Sequence, residues 1–337
     1  MIRLERTVHH EGSKKHEDHE EHFVQILSTK SLRVLRYSSC LRDRPSLEVR
    51  FSELRLTLVV WFAAITVAAA GRAEPAATAS GIADVNGTHL YYQTMGRGRP
   101  VVFVHGGLVD SRQWDDQMGP LARRFLVVRY DLRGYGRSAA PTGPFSPIDD
   151  LRALLDFLKI ERATIVGLSL GGMVAADFAL EYPDRTDRLV LVGTGLRGDT
   201  QPPDEKSLNA YRVGAREGAD RYFEAFLQAD LLAGVRNRPA ARERMRLMMT
   251  DNFKALAYLA PGTLLYPATP TIQRLGDIRA PTLVMIGSLD SPILRNIADT
   301  IASKVPGARR ATIEGASHHP PVETPQEFNR ALLKFLR

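Results

Sequence analysis

The chain has 337 residues, of which 44% are hydrophobic and 25% are charged, so it can bury the core of one large α/β domain or of two smaller ones. Its 45 basic and 38 acidic residues give a net charge of +7, but the sequence shows no basic face interleaved with aromatic residues, which argues against nucleic-acid binding. Cys40 is the single cysteine, which excludes an intrachain disulfide and permits export without arguing for it.

An apolar run over residues 54–73 has the layout of a secretory signal peptide, with Arg50 and Arg55 near its start and small residues at its end. Its uninterrupted core, residues 56–70, is shorter than the roughly 20 residues that span a membrane. Because signal peptides begin at the chain start, we interpret residues 1–53 as a disordered or wrongly assigned extension. We therefore expect an exported protein, periplasmic or secreted, whose signal segment contacts the membrane transiently. The alternative is a membrane anchor formed by residues 54–73.

Residues 74–80 form a linker rich in proline, alanine and threonine, and the folded domain is predicted over residues 81–337. Asn86-Gly87, between alternating residues, predicts a β-hairpin with a tight turn. A buried parallel strand at residues 100–104 follows and ends in His105-Gly106-Gly107. A glycine loop at the carboxyl end of a strand exposes backbone N–H groups, so Gly107 is placed to donate a hydrogen bond to an oxyanion.

Another loop, after a strand predicted at residues 126–129, combines Asp131, Ser138 and several glycines, residue types that also occur in catalytic sites. No helix start follows these glycines closely enough for a phosphate-binding loop. We therefore interpret the segment as a tight polar turn held by Asp131. A helix is predicted next over residues 147–158, with Ser146 as its cap.

The motif Gly167-Leu168-Ser169-Leu170-Gly171 lies between a strand predicted at residues 163–166 and a helix predicted at residues 173–180. A serine on a sharp turn from strand to helix is typical of a nucleophile, because the strained backbone makes its hydroxyl project. Gly167 and Gly171 leave room for this turn, since larger side chains would collide with the strand and the helix. Leu170 starts the helix, where its backbone N–H points at a developing oxyanion.

Beyond a strand predicted at residues 189–192, strand patterns stop for a long stretch. The region from about residue 199 to 275 instead predicts helices, at residues 207–217, 219–232, 240–249 and 251–259. A helical insertion between two strands of a parallel sheet predicts a lid over their carboxyl ends, where a substrate would enter.

Strands predicted at residues 281–286 and 308–313 are followed by Asp290 and by His318-His319, respectively. Because the carboxyl ends of parallel strands meet at one edge, we expect Ser169, Asp290 and one of the histidines to assemble there. Spacing from the last strand favours His318 as the base. His319 precedes a proline, which should hold it extended, so that it points away or lines the pocket.

With these motifs in chain order, residues 81–337 resemble the α/β-hydrolase fold of the esterase, lactonase and non-haem haloperoxidase group. The resemblance implies a mostly parallel, doubly wound sheet with an inserted helical lid. It also implies a serine hydrolase that needs no metal and no organic cofactor. The roles implied are Ser169 as nucleophile, His318 as base, Asp290 as its orienting acid, and the N–H groups of Gly107 and Leu170 as oxyanion donors.

The implied substrate is a small-molecule carboxylic ester, cleaved through an acyl-enzyme intermediate. A serine at position 169 argues against dehalogenases and epoxide hydrolases, which carry aspartate there. An enol-lactonase or other lactone hydrolase is the first alternative, and peracid formation would be a side reaction of the same acyl-enzyme. A noncatalytic receptor for a small ligand is the alternative from another class. The motifs specify neither the acyl group nor an oligomeric state.

Cleavage after Ala73 predicts that exported protein begins near Glu74. Amino-terminal sequencing of secreted or periplasmic material checks this expectation. Full-length chain confined to the cytosol would contradict it.

Overall fold

The computed structural model describes residues 78–202 and 204–337. The predicted signal segment and the extension before it lie outside the described residues. The first strand begins at Thr78, so the folded domain starts slightly before the predicted boundary at Gly81. Within the described ranges, no helix is both long enough and apolar enough to cross a membrane.

Eight strands form one sheet, in the spatial order β1-β2-β4-β3-β5-β6-β7-β8. The pairs β1–β2 and β2–β4 are antiparallel, and every other neighbouring pair is parallel. The sheet is therefore mostly parallel, as the sequence predicts. The strands are β1 Thr78–Val85, β2 Thr88–Met95, β3 Arg99–Val104, β4 Phe125–Tyr130, β5 Ala163–Leu168, β6 Thr186–Val192, β7 Thr282–Gly287 and β8 Arg309–Ile313.

Helices connect the parallel strands and cover both faces of the sheet, because parallel neighbours require crossover connections. In chain order they are α1 Asp115–Ala122, α2 Pro147–Phe157, α3 Leu170–Glu181, α4 Glu205–Glu217, α5 Ala219–Phe226, α6 Pro239–Asp251, α7 Thr271–Arg274, α8 Pro292–Lys304, α9 Pro320–Glu323 and α10 Pro325–Leu336.

Two hydrophobic layers sandwich the sheet. On one face α2, α3 and α8 pack against the strands through residues such as Leu151, Phe178 and Ile301. On the other face α1 and α10 do so through Leu121 and Phe328. All residues of β5 and β7 are buried, which explains why these strands read as continuous apolar runs rather than alternating ones. The doubly wound architecture is confirmed.

Local signals place several elements where the sequence predicts them. Asn86 and Gly87 take positive φ angles of 48° and 66°, as a tight turn between β1 and β2 requires. Ser146 caps α2 by accepting a hydrogen bond from the backbone N–H of Asp149. Such short-range signals need no tertiary context, which is why they are reliable.

Two helical predictions differ from the structure, and one helix was missed. The helix predicted over residues 219–232 ends at Phe226, because Ala229 adopts extended angles (φ −70°, ψ 153°) before a short 3-10 helix. The segment predicted as a helix at 251–259 is a 3-10 helix, Phe253–Leu259. Helix α1 is not predicted at all, since it contains Gly119 and Pro120, both poor helix formers.

The helical insertion between β6 and β7 packs over the carboxyl edge of the sheet. Its side chains form a third apolar cluster with Leu108 and Val109, which follow β3. Met245 and Met249 are fully buried in that cluster. The insertion therefore rests on the loops that follow the strands, at the edge where the predicted site residues lie.

Helix α3 approaches β3 so closely that a β-carbon on Gly171 would lie 2.2 Å from the carbonyl oxygen of Val104. Gly276, in the short 3-10 helix Leu275–Asp277, makes a control, since a β-carbon there meets nothing within 4 Å beyond its own chain neighbours. We expect Gly171→Ala to lower the free energy of unfolding by about 1 to 3 kcal/mol, and Gly276→Ala to leave it equal or up to about 1 kcal/mol higher. Urea unfolding of both variants measures this difference, and an unchanged Gly171→Ala midpoint would contradict the close approach.

Candidate active site

Ser169 lies on the turn between β5 and α3 with φ 54° and ψ −114°, a combination that residues other than glycine rarely adopt. Its N–H donates to the carbonyl oxygen of Val192 at the end of β6 (3.0 Å), and its carbonyl accepts from Met173 in α3 (3.1 Å). These bonds hold the strained backbone in place. The serine lines a cavity beneath the helical insertion.

The glycines on either side of this turn have no space for a side chain. A β-carbon on Gly167 would lie 2.1 Å from the carbonyl oxygen of Gly171, and Gly171 is equally confined by Val104 and His105. A side chain at either position would push α3 away from the sheet. The turn that presents Ser169 therefore depends on both glycines.

The loop after β3 is held by the buried ring of His105. Its Nε2 accepts a hydrogen bond from the N–H of Leu132 (2.9 Å), so its proton lies on Nδ1, which donates to the carbonyl of Gly106 (2.7 Å). Burial lowers the pKa of His105, against the opposing effect of Asp131. The N–H of Gly106 is occupied as well, since it donates to Oε1 of Gln113 (3.0 Å).

Gly107 and Leu170 line the cavity together with Ser169. Leu170 is the first residue of α3, and a helix leaves the N–H groups of its first turn without helical partners. The helix dipole adds partial positive charge at the same point. The two predicted oxyanion donors are thus brought to the same cavity as the predicted nucleophile.

His318 and Asp290 form a buried pair. Nδ1 of His318 lies 3.1 Å from Oδ2 of Asp290, and both side chains are at most 3% exposed. Oδ1 of Asp290 accepts from the N–H of Ser291 (2.8 Å), which fixes the carboxylate. Asp290 thereby holds the imidazole with its proton on Nδ1 and leaves Nε2 free to act as an acceptor.

His318 and Ser169 line the same cavity. Within the described residues, no hydrogen bond joins their side chains. Such catalytic bonds are often long in unliganded enzymes and shorten when substrate binds.

Sequence reasoning missed Gly193, which follows β6. It takes a φ of 46°, and a β-carbon there would lie 2.9 Å from Nδ1 of His318 and 3.1 Å from Oδ2 of Asp290. Only glycine lets the backbone pass this close to the pair. A glycine directly after a buried strand was the available signal.

Glu323 is a second residue that the sequence analysis missed. Its buried carboxylate accepts hydrogen bonds from the N–H and Oγ of Ser317 (2.6 and 2.8 Å) and from the N–H of His319 (2.8 Å). Burial raises the pKa of Glu323, while these hydrogen bonds act in the opposite direction. The carboxylate fixes the loop that carries His318. Nothing local in the sequence announces this role, because it depends on how α9 folds back.

His319 lines the cavity, one of the two placements expected for it. Its backbone is not extended as predicted (φ −114°, ψ 57°), because the residue serves as the cap of α9. The ring is 4% exposed and meets that of His318 edge-on, with centroids 5.0 Å apart. Burial, and then the neighbouring His318, hold the pKa of His319 well below its ordinary value, so the ring is neutral.

Asp131 takes no part in the cavity lining. Its carboxylate accepts from the N–H groups of Ser111 and Arg137, both at 2.8 Å, and its carbonyl accepts from Oγ of Ser138 (2.6 Å). The segment is the polar turn that we inferred from the sequence.

The cavity has a volume of about 530 Å³, within the range of small-molecule sites. Its lining includes no aspartate, glutamate, lysine or arginine, and the helical insertion supplies apolar side chains such as Phe226, Leu231 and Met249. Its polar side chains are the hydroxyls of Ser169, Tyr211 and Tyr266 and the two histidine rings. The site suits an uncharged, largely apolar molecule.

In the part of the chain that the structure describes, no group of three or more His, Cys, Asp or Glu residues is arranged to hold a metal ion.

A family model described as "Alpha/beta hydrolase family" matches residues 101–331. The pimeloyl-[acyl-carrier protein] methyl ester esterase of Pectobacterium atrosepticum is 28% identical over 251 residues, which cover 73% of this chain and 98% of that protein.

Two solved structures share the fold. A thermophilic esterase from Thermogutta terrifontis superposes with a TM-score of 0.67 at 30% identity, covering 77% of this chain and 98% of that one. The enol-lactonase from Burkholderia xenovorans LB400 superposes with a TM-score of 0.65 at 28% identity, covering 76% and 99%. Esterases and a lactonase are thus similar to this chain over nearly their full length.

The lowered pKa of His319 predicts a pH effect on stability. The unfolded ring takes up a proton as the pH falls through its ordinary value of 6.5, whereas the folded ring stays neutral. Stability is therefore fully present above 6.5 and is lost below it, by at most about 1.4 kcal/mol per pH unit. Between about pH 7 and pH 5, the wild-type chain should lose more free energy of unfolding than His319→Gln. Urea unfolding at both pH values tests this, and equal losses would count against a buried neutral ring.

Proposed function

Since the chain belongs to the alpha/beta hydrolase family, we propose that it is a serine hydrolase that cleaves a small-molecule carboxylic ester through an acyl-enzyme intermediate. One observation carries the proposal: the strained Ser169 opens on the same cavity as the buried pair of His318 and Asp290. A backbone strain of this kind is costly, on the order of 1 to 3 kcal/mol, and typically persists where it serves a site.

The mechanism follows from the positions of these groups. Oγ of Ser169 attacks the ester carbonyl while Nε2 of His318 takes its proton, and Asp290 stabilises the imidazolium that forms. The N–H groups of Gly107 and Leu170 bind the oxyanion. The imidazolium then protonates the departing alcohol. Water, activated by the same histidine, releases the acid and restores the serine.

The lining of the cavity favours an uncharged substrate. Its apolar lining offers no cation to bind a carboxylate or phosphate group, so an ionic substrate would be desolvated without compensation. The helical insertion supplies much of this lining, and we infer that it acts as a lid that excludes water from the acyl-enzyme.

A lactone hydrolase is the second candidate, because the same attack opens a cyclic ester without releasing a separate alcohol. The similarity to an enol-lactonase over 76% of the chain supports it. An enol-lactonase would prefer its lactone over simple aryl esters by orders of magnitude.

A noncatalytic receptor would need neither the strained serine nor the Asp290–His318 pair, so this alternative is disfavoured.

The purified full chain should hydrolyse short-chain aryl esters and react with a fluorophosphonate probe at Ser169. The Ser169→Ala variant should lose both the hydrolysis and the labelling, with turnover falling on the order of a millionfold. The comparison of aryl esters with lactones in the same assay separates the two candidate activities. A folded wild-type protein that the probe does not label would favour the receptor.

The same assay ranks the remaining residues. His318→Ala should abolish turnover, whereas His319→Ala should change turnover only several-fold. Asp290→Asn should lie between these two variants, with a loss of turnover on the order of 10⁴-fold. Circular dichroism and thermal unfolding establish that each variant is folded. If His319→Ala proved the more damaging histidine substitution, the assignment of the base would be wrong.

A further inference from the structure

The proton of the His319 ring can be located from its neighbours. The N–H of Gly106 donates to Oε1 of Gln113, which turns the amide nitrogen of Gln113 toward Nδ1 of His319 at 3.4 Å. An amide nitrogen only donates, so Nδ1 of His319 is the acceptor. In a neutral ring the proton then lies on Nε2.

That N–H opens on the cavity. No described residue accepts a hydrogen bond from Nε2 of His319. The atom is nevertheless accessible rather than buried. The ring lines the cavity beside His318. An unpaired donor is therefore turned toward the space that a substrate would occupy.

The two adjacent rings present opposite groups. His318 holds its proton on Nδ1 against Asp290 and offers Nε2 as an acceptor. His319 holds an acceptor against Gln113 and offers Nε2–H as a donor. One ring can thus take the serine proton, while the other can only donate to a group on the substrate.

The backbone of His319 is held rigidly. Its N–H donates to Oε1 of Glu323 (2.8 Å), and its carbonyl accepts from the N–H groups of Val322 and Glu323 (both 2.9 Å). Because the ring is also packed between Gln113 and His318, the donor is fixed before a substrate binds.

We propose that His319 donates a hydrogen bond from Nε2 to an uncharged oxygen, of the carbonyl or ether type, carried by the substrate beside the scissile ester. The chain therefore selects oxygen-bearing esters over all-carbon ones. This inference rests on the proposed ester hydrolysis. An all-carbon substrate would cover the N–H without pairing it, and a site that leaves a buried donor unpaired discriminates against such a substrate.

The test compares ester pairs in which one methylene is replaced by an ether oxygen, at successive positions of the acyl chain in one set and of the alcohol in the other. Acid release at constant pH gives kcat/KM for each. The wild-type chain should prefer at least one oxygen-bearing ester by about fivefold, the size of a typical net hydrogen bond. If the wild type shows no preference in either set, the inference fails while ester hydrolysis stands.

Two nearly isosteric variants isolate the donor. His319→Gln places an amide nitrogen close to the former Nε2 and should keep the preference, whereas His319→Asn reaches only the Nδ1 position and should lose it. If His319→Asn lowers kcat/KM equally for both members of every ester pair, His319 acts through His318 or the reacting carbonyl, and the inference is overturned.

The tautomer is measured without turnover. Nitrogen-15 NMR of the imidazole of His319 in the full chain should show a proton on Nε2 and none on Nδ1; the reverse tautomer would overturn the inference. If the wild type cleaves no ester in a Ser169-dependent way, the proposed function fails and the substrate selection with it, even where NMR finds the expected tautomer.

Discussion

The site depends on a single backbone constraint, the strained turn that carries Ser169 from β5 into α3. The turn is possible only because Gly167 and Gly171 let the start of α3 lie against β3 and β5 without side chains between them. The same contact places the N-terminus of α3, with its unpaired N–H groups, next to the serine hydroxyl. One packing constraint thus positions both the predicted nucleophile and a predicted oxyanion donor.

A chain of buried polar contacts ties the loop after β3 to the loop after β8. His105 and Gln113 hold Gly106 through its carbonyl and its N–H, respectively. Gln113 reaches His319, and Glu323 holds the backbone of the same loop. Because these hydrogen bonds are buried, moving one loop would break bonds to the next. The loops after β3 and β8 therefore behave as one support for the site.

Membership of the family defines the fold but not the substrate. Esterases and an enol-lactonase share the fold with this chain at similar identity, so the fold cannot decide between their activities. The lining of the cavity bears on the substrate more directly, because it is uncharged and apolar apart from hydroxyls and two histidine rings. The neutral donor that we propose, the Nε2–H of His319, would favour a matching acceptor more strongly in these apolar surroundings than it would in water.

The sequence alone predicts the sheet class, the hairpin at Asn86-Gly87 and the candidate residues Ser169, Asp290 and His318, because turns, apolar runs and motif order depend on near neighbours in the chain. It did not reveal Gly193 or Glu323. It also did not reveal that Gln113 sets the tautomer of His319, a contact between residues 206 positions apart. These features appear only in the folded chain, since a buried hydrogen bond depends on which distant loops the packed sheet brings together.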